Sequence, residues 1–171
     1  MSGVIRAGGT TRAAGAEARS GVEVRCGRDR AVGVRLTDRR AEDGVVRFAA
    51  ELRAPGLTAR LAEVVDLGPG GGLAGFLAGL AADFRGWEGE RSWRNADGDL
   101  ALRAAFRSGG HVGLTWALQP WRAADGTWRA GATTWVEAGE QLAALAAEVE
   151  AFLEGEGEGE GEDEDEDEDE D

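Results

Sequence analysis

The sequence predicts an α+β fold, with a mainly antiparallel sheet of about seven strands and two helices in the order ββββ-α-βββ-α. Four segments in which apolar and polar residues alternate precede a first helical pattern, and three more precede a second. Short, hairpin-like connections between these segments favour antiparallel pairing with the helices on one face. The segment that carries both patterns, residues 21–153, is long enough to form one domain with its own core.

The first four predicted strands share one apolar face. On the first three strands its residues are Val22, Val24, Cys26, Val32, Val34, Leu36, Val46, Phe48, Ala50 and Leu52. Polar connections at 27–30 and 38–44 separate these strands. The fourth strand, 57–65, follows a Pro-Gly turn and alternates less regularly, which is typical of an edge strand.

A first core-facing helix follows a glycine-rich break. Its apolar stripe has the spacing of one helix face and consists of Leu73, Phe76, Leu77, Leu80 and Phe84. The next connection contains Trp87 and Trp93 among Gly, Arg and Glu residues, and it is too irregular for a helix or a long strand. Large rings in such a segment usually pin it to the core, so we expect both to be at least partly buried. The alternative is a recognition surface.

The last three strands and the second helix complete the predicted domain. The fifth and sixth strands have an apolar face made of Leu100, Leu102, Ala104, Phe106, Val112, Leu114, Trp116 and Leu118. The seventh, 127–136, places Trp128 on the apolar face and Trp135 on the opposite one. The second helix, 137–153, has the stripe Leu142, Leu145, Ala146, Val149, Phe152 and Leu153.

The net charge of −14 comes from one end of the chain. Of the 33 acidic residues, 14 lie between Glu154 and Asp171, so the 19 that precede them balance the 19 basic residues. Residues 154–171 contain no apolar side chain that could join a core. We therefore expect them to form a disordered acidic tail. The tail would either maintain solubility or bind a basic partner. Residues 1–20 also lack a usable period and are expected to be disordered.

Composition also limits the cellular setting. No apolar run reaches the length of a secretion signal or a membrane span, so we expect a cytoplasmic protein that does not enter the membrane. The single cysteine, Cys26, excludes an intramolecular disulfide, and its place on an apolar strand face predicts a buried thiol. The neutral body has no basic stripe, so no nucleic acid is expected as a partner.

Three patterns suggest chemistry, and each has a simpler explanation. Gly70, Gly72 and Gly75 spell G-x-G-x-x-G, but the apolar strand and acidic residue that a dinucleotide site needs downstream are missing. His111, the single histidine, lies beside two glycines and fits a turn. The carboxylates of Glu88, Glu90, Asp97 and Asp99 alternate with Arg85, Arg91 and Arg94, which indicates surface ion pairs and no metal. We therefore expect no catalytic residue, cofactor or metal.

A family resemblance covers residues 21–153. Its motif residues are Asp83-Phe84-x-Gly86-Trp87-x-Gly89-x-Arg91-x-Trp93, Gly110-His111-Val112-x-Leu114, and Gly139-Glu140-x-Leu142 ahead of a helix that ends in Phe152-Leu153. With these motifs the chain resembles an uncharacterised family of small proteins from high-GC bacteria, which implies no catalytic residues. The order of the elements also resembles, more remotely, WapI-type immunity proteins, which neutralise a secreted toxin.

Two functional hypotheses follow. The first is a non-catalytic protein-binding domain, such as an immunity protein, with Arg91, Trp121 and Trp135 as its interface because Trp and Arg are enriched at interface hot spots. The simpler explanation of Trp121 and Trp135 is that they cover the ends of the sheet. The second hypothesis is a small enzyme or ligand-binding domain with a pocket between helix and sheet.

Overall fold

The computed structural model describes residues 21–68, 72–120 and 127–155. These residues form eight strands and two helices, which confirms the predicted α+β class. In chain order they are β1 (Gly21–Arg25), β2 (Gly33–Glu42), β3 (Val45–Ala54), β4 (Leu57–Asp66), α1 (Leu73–Ala82), β5 (Glu90–Arg94), β6 (Leu100–Arg107), β7 (His111–Leu118), β8 (Ala130–Glu137) and α2 (Glu140–Glu154). The expected disorder of residues 1–20 and of the acidic tail lies outside the described residues, apart from Glu154 and Gly155.

The strands form two antiparallel sheets in place of the single sheet that we predicted. The first sheet has the order β1-β2-β3-β4 and the second has the order β5-β6-β7-β8. In each sheet every strand pairs with its neighbour in sequence, as the short connections predict. The eighth strand is β5, in the connection between Trp87 and Trp93. Trp93 is its one large apolar residue, so the alternation that reveals a strand was too short to recognise.

One hydrophobic core joins both sheets and both helices. Phe48 on β3 and Phe152 on α2 meet edge to face, with ring centroids 5.9 Å apart. Trp116 on β7 is fully buried, and its indole N–H donates to the Thr134 hydroxyl on β8 at 3.0 Å. The two helices pack against each other. None of the helices in the described ranges is long and apolar enough to cross a membrane.

The first helix begins with help from a residue outside it. Its N-cap, Gly72, has no side chain to accept a hydrogen bond, and Asp66 at the end of β4 takes this role. The two carboxylate oxygens of Asp66 accept the backbone N–H groups of Gly68 and Leu73, each at 2.9 Å. A Cβ at position 72 would collide with this carboxylate, so the close approach requires glycine.

The end of α1 differs from the prediction. The helix stops at Ala82, and Phe84, which we placed in its apolar stripe, is 56% exposed. Gly86, with φ of +109°, then turns the chain toward β5. The helical spacing therefore continued by coincidence past the last helical residue.

The second helix follows the prediction more closely. Its buried residues are Leu142, Leu145, Ala146, Val149 and Leu153. It starts at Glu140 and not at Glu137 as predicted. Glu137 is the last residue of β8, where it pairs with His111. At its end, Arg39 donates from Nε to the Leu153 carbonyl at 3.0 Å and from Nη2 to the Glu154 carbonyl at 2.8 Å.

Two further positions correct the sequence analysis. Trp128, expected on the apolar face of its strand, precedes β8 and is 41% exposed, because the pairing with β7 ends at Ala130. The predicted connection over 38–44 is mostly strand, since β2 continues to Glu42 through a bulge at Asp38. Asp38 has a φ of +56°, and its polar side chain tolerates this conformation.

Candidate interaction surface

The outer face of the first sheet is covered by charged side chains. Four residues in register across the strands alternate in sign, namely Glu23, Arg35, Glu51 and Arg60. Neighbouring pairs on this face, such as Arg25 with Glu23 at 2.8 Å, add to the neutralisation. The hydrogen bond from Arg25 lowers the pKa of the Glu23 carboxyl. Most charged side chains on this face therefore have an oppositely charged neighbour within the same sheet.

The outer face of the second sheet has a different chemistry. We call it the small-residue face, and its central residues are Ala101, Ala105, Gly113, Thr115, Ala117, Gly131 and Thr133. The Thr115 and Thr133 hydroxyls lie 2.8 Å apart and hydrogen bond with each other. The buried residues of both helices belong to the core, which lies on the opposite face. Within the described residues, the small-residue face is thus a sheet surface without a covering helix.

Among the described residues, Trp135 is the one aromatic side chain on this face. It is half-buried and lies across Gly113, its partner on β7, whose Cβ position would be only 3.0 Å from the ring. The guanidinium carbon of Arg28 lies 3.8 Å from the centroid of the Trp135 ring. Trp135 therefore faces away from the core, as predicted, and Arg28 from the turn after β1 stacks on it.

The backbone of Trp135 also connects the two sheets. Its carbonyl accepts the N–H of Gly27 at 2.8 Å, and its N–H donates to the sulfur of Cys26 at 3.4 Å. Cys26 is 5% exposed, so the expected buried thiol is present. Burial raises the pKa of this thiol, but the backbone N–H groups of Trp135, Arg28 and Asp29 outweigh burial and lower the pKa overall.

The structure separates the predicted interface residues. Arg91 on β5 pairs with Ala104 on the buried face, whereas Trp135 on β8 belongs to the outer face at the other edge of the sheet. Arg91 also forms an ion pair with Asp83 at 2.5 Å and stacks over Trp87 at 4.8 Å. Trp121 lies outside the described residues. Arg91 and Trp135 therefore do not form one surface.

Both tryptophans of the connection are partly buried against the core, as predicted. The Trp87 ring meets Phe106 at 5.5 Å, edge to face. Gly86 makes this packing possible, because its Cβ position would be 2.8 Å from the Phe106 ring. The connection is thus held to the second sheet by aromatic contact.

Of the groups that suggested chemistry, the start of α1 has a structural explanation. At the N-terminus of α1, where a nucleotide phosphate would bind, the Asp66 carboxylate already accepts the helix N–H of Leu73. Gly70 lies outside the described residues. His111 is exposed at the start of β7. No three or more His, Cys, Asp or Glu side chains in the described ranges are arranged to hold a metal.

Asp99 corrects the surface ion-pair interpretation of the acidic cluster. It is 6% exposed, and the Asn95 amide donates to its carboxylate at 2.5 Å. The same amide donates to the Val65 carbonyl on β4, and so ties the β5–β6 turn to the first sheet. Burial raises the pKa of the Asp99 carboxyl, the Asn95 hydrogen bond opposes this, and the charge of Asp97 adds to the increase.

A groove between the helices and the first sheet bears on the ligand-binding hypothesis. Its volume is about 230 Å³, and it is lined by Val46, Asp66, Ala74, Glu150 and Leu153 among others. Ligand pockets usually measure about 300–1,000 Å³ and hold several convergent polar groups. Here both oxygens of Asp66 are already engaged, which leaves Glu150 and Glu154 as the charged groups of the groove.

Residues 25–156 match the model of a family of unknown function (DUF6228). The chain belongs to this family. The match runs from the end of β1 to just beyond α2, so it includes seven complete strands, both helices and the Arg28–Trp135 stack. The search of curated proteins gave no match, and neither did the search of solved structures.

The family match agrees with the expected resemblance to an uncharacterised family. Sequence reasoning did not find Arg28 or Gly113, the two residues that position Trp135. Arg28 lies in a polar turn and Gly113 interrupts an apolar strand. A glycine within a strand does signal a close approach, and here the approaching group is the Trp135 ring.

Proposed function

We propose that this protein is a non-catalytic protein-binding domain whose partner docks on the small-residue face. The observation that supports this most is the Arg28–Trp135 stack at the edge of that face. Trp and Arg are the residue types that contribute most to binding at protein interfaces. The small side chains beside them would let a partner approach the backbone of the second sheet closely.

The charges around the face favour a partner with an acidic surface. Arg28, Arg94, Arg103 and Arg107 lie on or beside the face, against two carboxylates, Glu90 and Glu137. Arg103 lies 3.6 Å from Glu90, while no ion pair of Arg94 or Arg107 occurs among the described residues. A complementary partner would therefore present carboxylates around an apolar centre.

An immunity protein that neutralises a toxin is the biological role that we propose for such a domain. This role rests on the order of the elements, and the toxin would supply the acidic surface. The alternative is a small enzyme or ligand-binding domain that uses the groove between helix and sheet. The groove that contains Asp66 has a volume of about 230 Å³, below the usual range of ligand pockets, and both oxygens of Asp66 are engaged.

A capture experiment with two matched variants tests the proposal. Thr133→Arg places a long charged side chain in the small-residue face, and Thr58→Arg places the same side chain on an exposed position of the first sheet. We expect a partner from the native host to be retained by the wild type and Thr58→Arg, and lost by Thr133→Arg. Thermal unfolding of each variant checks that the fold is kept. Retention by Thr133→Arg would contradict the proposal.

A further inference from the structure

Two β-bulges in the first sheet create a recess on its outer face. The register shifts between Thr37 and Arg40 where β2 pairs with β3, and again between Phe48 and Ala50 where β3 pairs with β4. The shifts flank the same part of β3. The recess is shallow, about 430 Å³ in volume, and is lined by Asp38, Arg39, Arg40, Arg60 and Ala62. Bulges often re-aim side chains at functional sites, and here three of the five lining residues are arginines.

The arginines in and beside the recess are incompletely neutralised. Arg40 is directly opposite Arg47 in the pairing of β2 with β3, and like charges in this position repel. Arg47 reaches Glu42 and Glu63 only at 3.9 Å. Arg60 is paired with Asp38 at 2.7 Å, while Arg40 forms no hydrogen bond or ion pair with another described residue. An anion in the recess would reduce this repulsion.

The acidic tail leaves the domain beside this recess. Arg39, which lines the recess, also holds the last two carbonyls of α2 at Leu153 and Glu154. Gly155 follows directly, and a Cβ at its position would lie 2.6 Å from the Arg39 guanidinium. Residues 156–171 contain only Glu, Asp and Gly. A chain of this length reaches up to about 50 Å when extended, far more than it needs to cover the recess.

We propose that the recess is a binding site for an acidic peptide, and that its occupant is this chain's own segment 156–171. The tail carboxylates pair with Arg40 and Arg60 and offset the repulsion between Arg40 and Arg47. Because the tail is tethered at Gly155, its effective concentration at the recess is of the order of millimolar. An acidic partner in solution has to displace the tail to reach the arginines. This site lies on the first sheet and is independent of the proposed docking on the second.

Paramagnetic relaxation tests the contact in the full chain. A nitroxide is attached to the Gly161→Cys variant, and the wild type treated in the same way shows whether buried Cys26 stays unlabelled. At an ionic strength of about 0.01 M, where the Debye length is about 30 Å, we expect amide signals of residues 38–41 and 60–63 to lose intensity. At about 1 M, where the Debye length is about 3 Å, we expect the signals to recover. Amides around Thr115 and Thr133 should keep their intensity.

A pair of double variants separates the recess from general attraction to arginine. Arg40→Gln with Arg60→Gln should abolish the intensity loss, while Arg103→Gln with Arg107→Gln on the second sheet should leave it unchanged. Equal broadening of both sheets, or broadening that survives the recess variant, would overturn the proposal. The nitroxide-labelled chain is also diluted into an excess of chain without nitroxide. Broadening that disappears on dilution would overturn the proposal too, because the contact would then be between molecules.

Discussion

At the scale of single residues, Gly86 decides how the connection packs. Its φ of +109° is a conformation that L side chains rarely adopt, and a Cβ would meet the Phe106 ring. The sequence could predict that Trp87 and Trp93 are partly buried, because large rings among glycines usually pin a connection to the core. It could not predict the contacts of Gly86, Gly113 or Asp66, which depend on residues far along the chain.

Gly86→Ala should therefore destabilise the fold by about 1–3 kcal/mol, through backbone strain and contact with Phe106. Gly89→Ala is the matched control, since Gly89 also has a positive φ but nothing lies within 4 Å of its Cβ position. We expect it to cost only about 1 kcal/mol. Urea denaturation of both variants measures the difference, and equal losses would refute the role of the Phe106 contact.

Asp99 makes a prediction about pH. Because its folded pKa is raised, its contribution to stability is present at low pH and is lost as pH rises through the folded pKa. Asp99→Asn keeps an oxygen for the Asn95 amide but cannot ionise. Its melting temperature should exceed that of the wild type at neutral pH, and the gap should narrow toward about pH 4. A gap that stays constant with pH would show that ionisation of Asp99 has no part in it.

At the scale of elements, the start of α1 depends on a residue six positions before its N-cap. A capping residue directly before a helix can be recognised in a sequence. Asp66, however, accepts the first N–H of α1 from the far side of the glycine-rich break. The same limit explains the missed β5 and the missed extension of β2. Each of these two strand segments is defined by its pairing with a neighbouring strand, and that pairing cannot be read from the local sequence. The regular stripes of β3, β6 and α2 needed no such partner and were predicted correctly.

Asp66→Ala should destabilise the protein by about 1–3 kcal/mol, because the buried N–H of Leu73 would lose its acceptor. Asp66→Asn, which keeps one carbonyl oxygen, should cost less. Thermal unfolding of the two variants shows which of them is less stable. If Asp66→Ala were as stable as the wild type, the carboxylate could not be what caps α1.

At the scale of the whole molecule, the two sheets share one core but differ on their outer faces. The first carries rows of alternating charge, while the second carries small residues with Trp135 and Arg28 at one edge. The outward direction of Trp135 followed from its strand pattern. That Arg91 lies on the other face could not be predicted, because its strand was not recognised. Of the interface residues proposed from sequence, Trp135 lies on the outer face, Arg91 lies on the opposite face and Trp121 lies outside the described residues. The structure adds Arg28 beside Trp135.

The affinity of the Arg28→Ala variant for the captured partner tests the binding surface most directly. Arg28 is exposed, so its removal should leave the fold intact while it uncovers the Trp135 ring. Arg25→Ala is the control, since Arg25 is also exposed but lies on the first sheet. If the partner docks on the small-residue face, calorimetry should show Kd weakened about tenfold or more for Arg28→Ala and unchanged for Arg25→Ala. Equal affinities of both variants and the wild type would contradict the account.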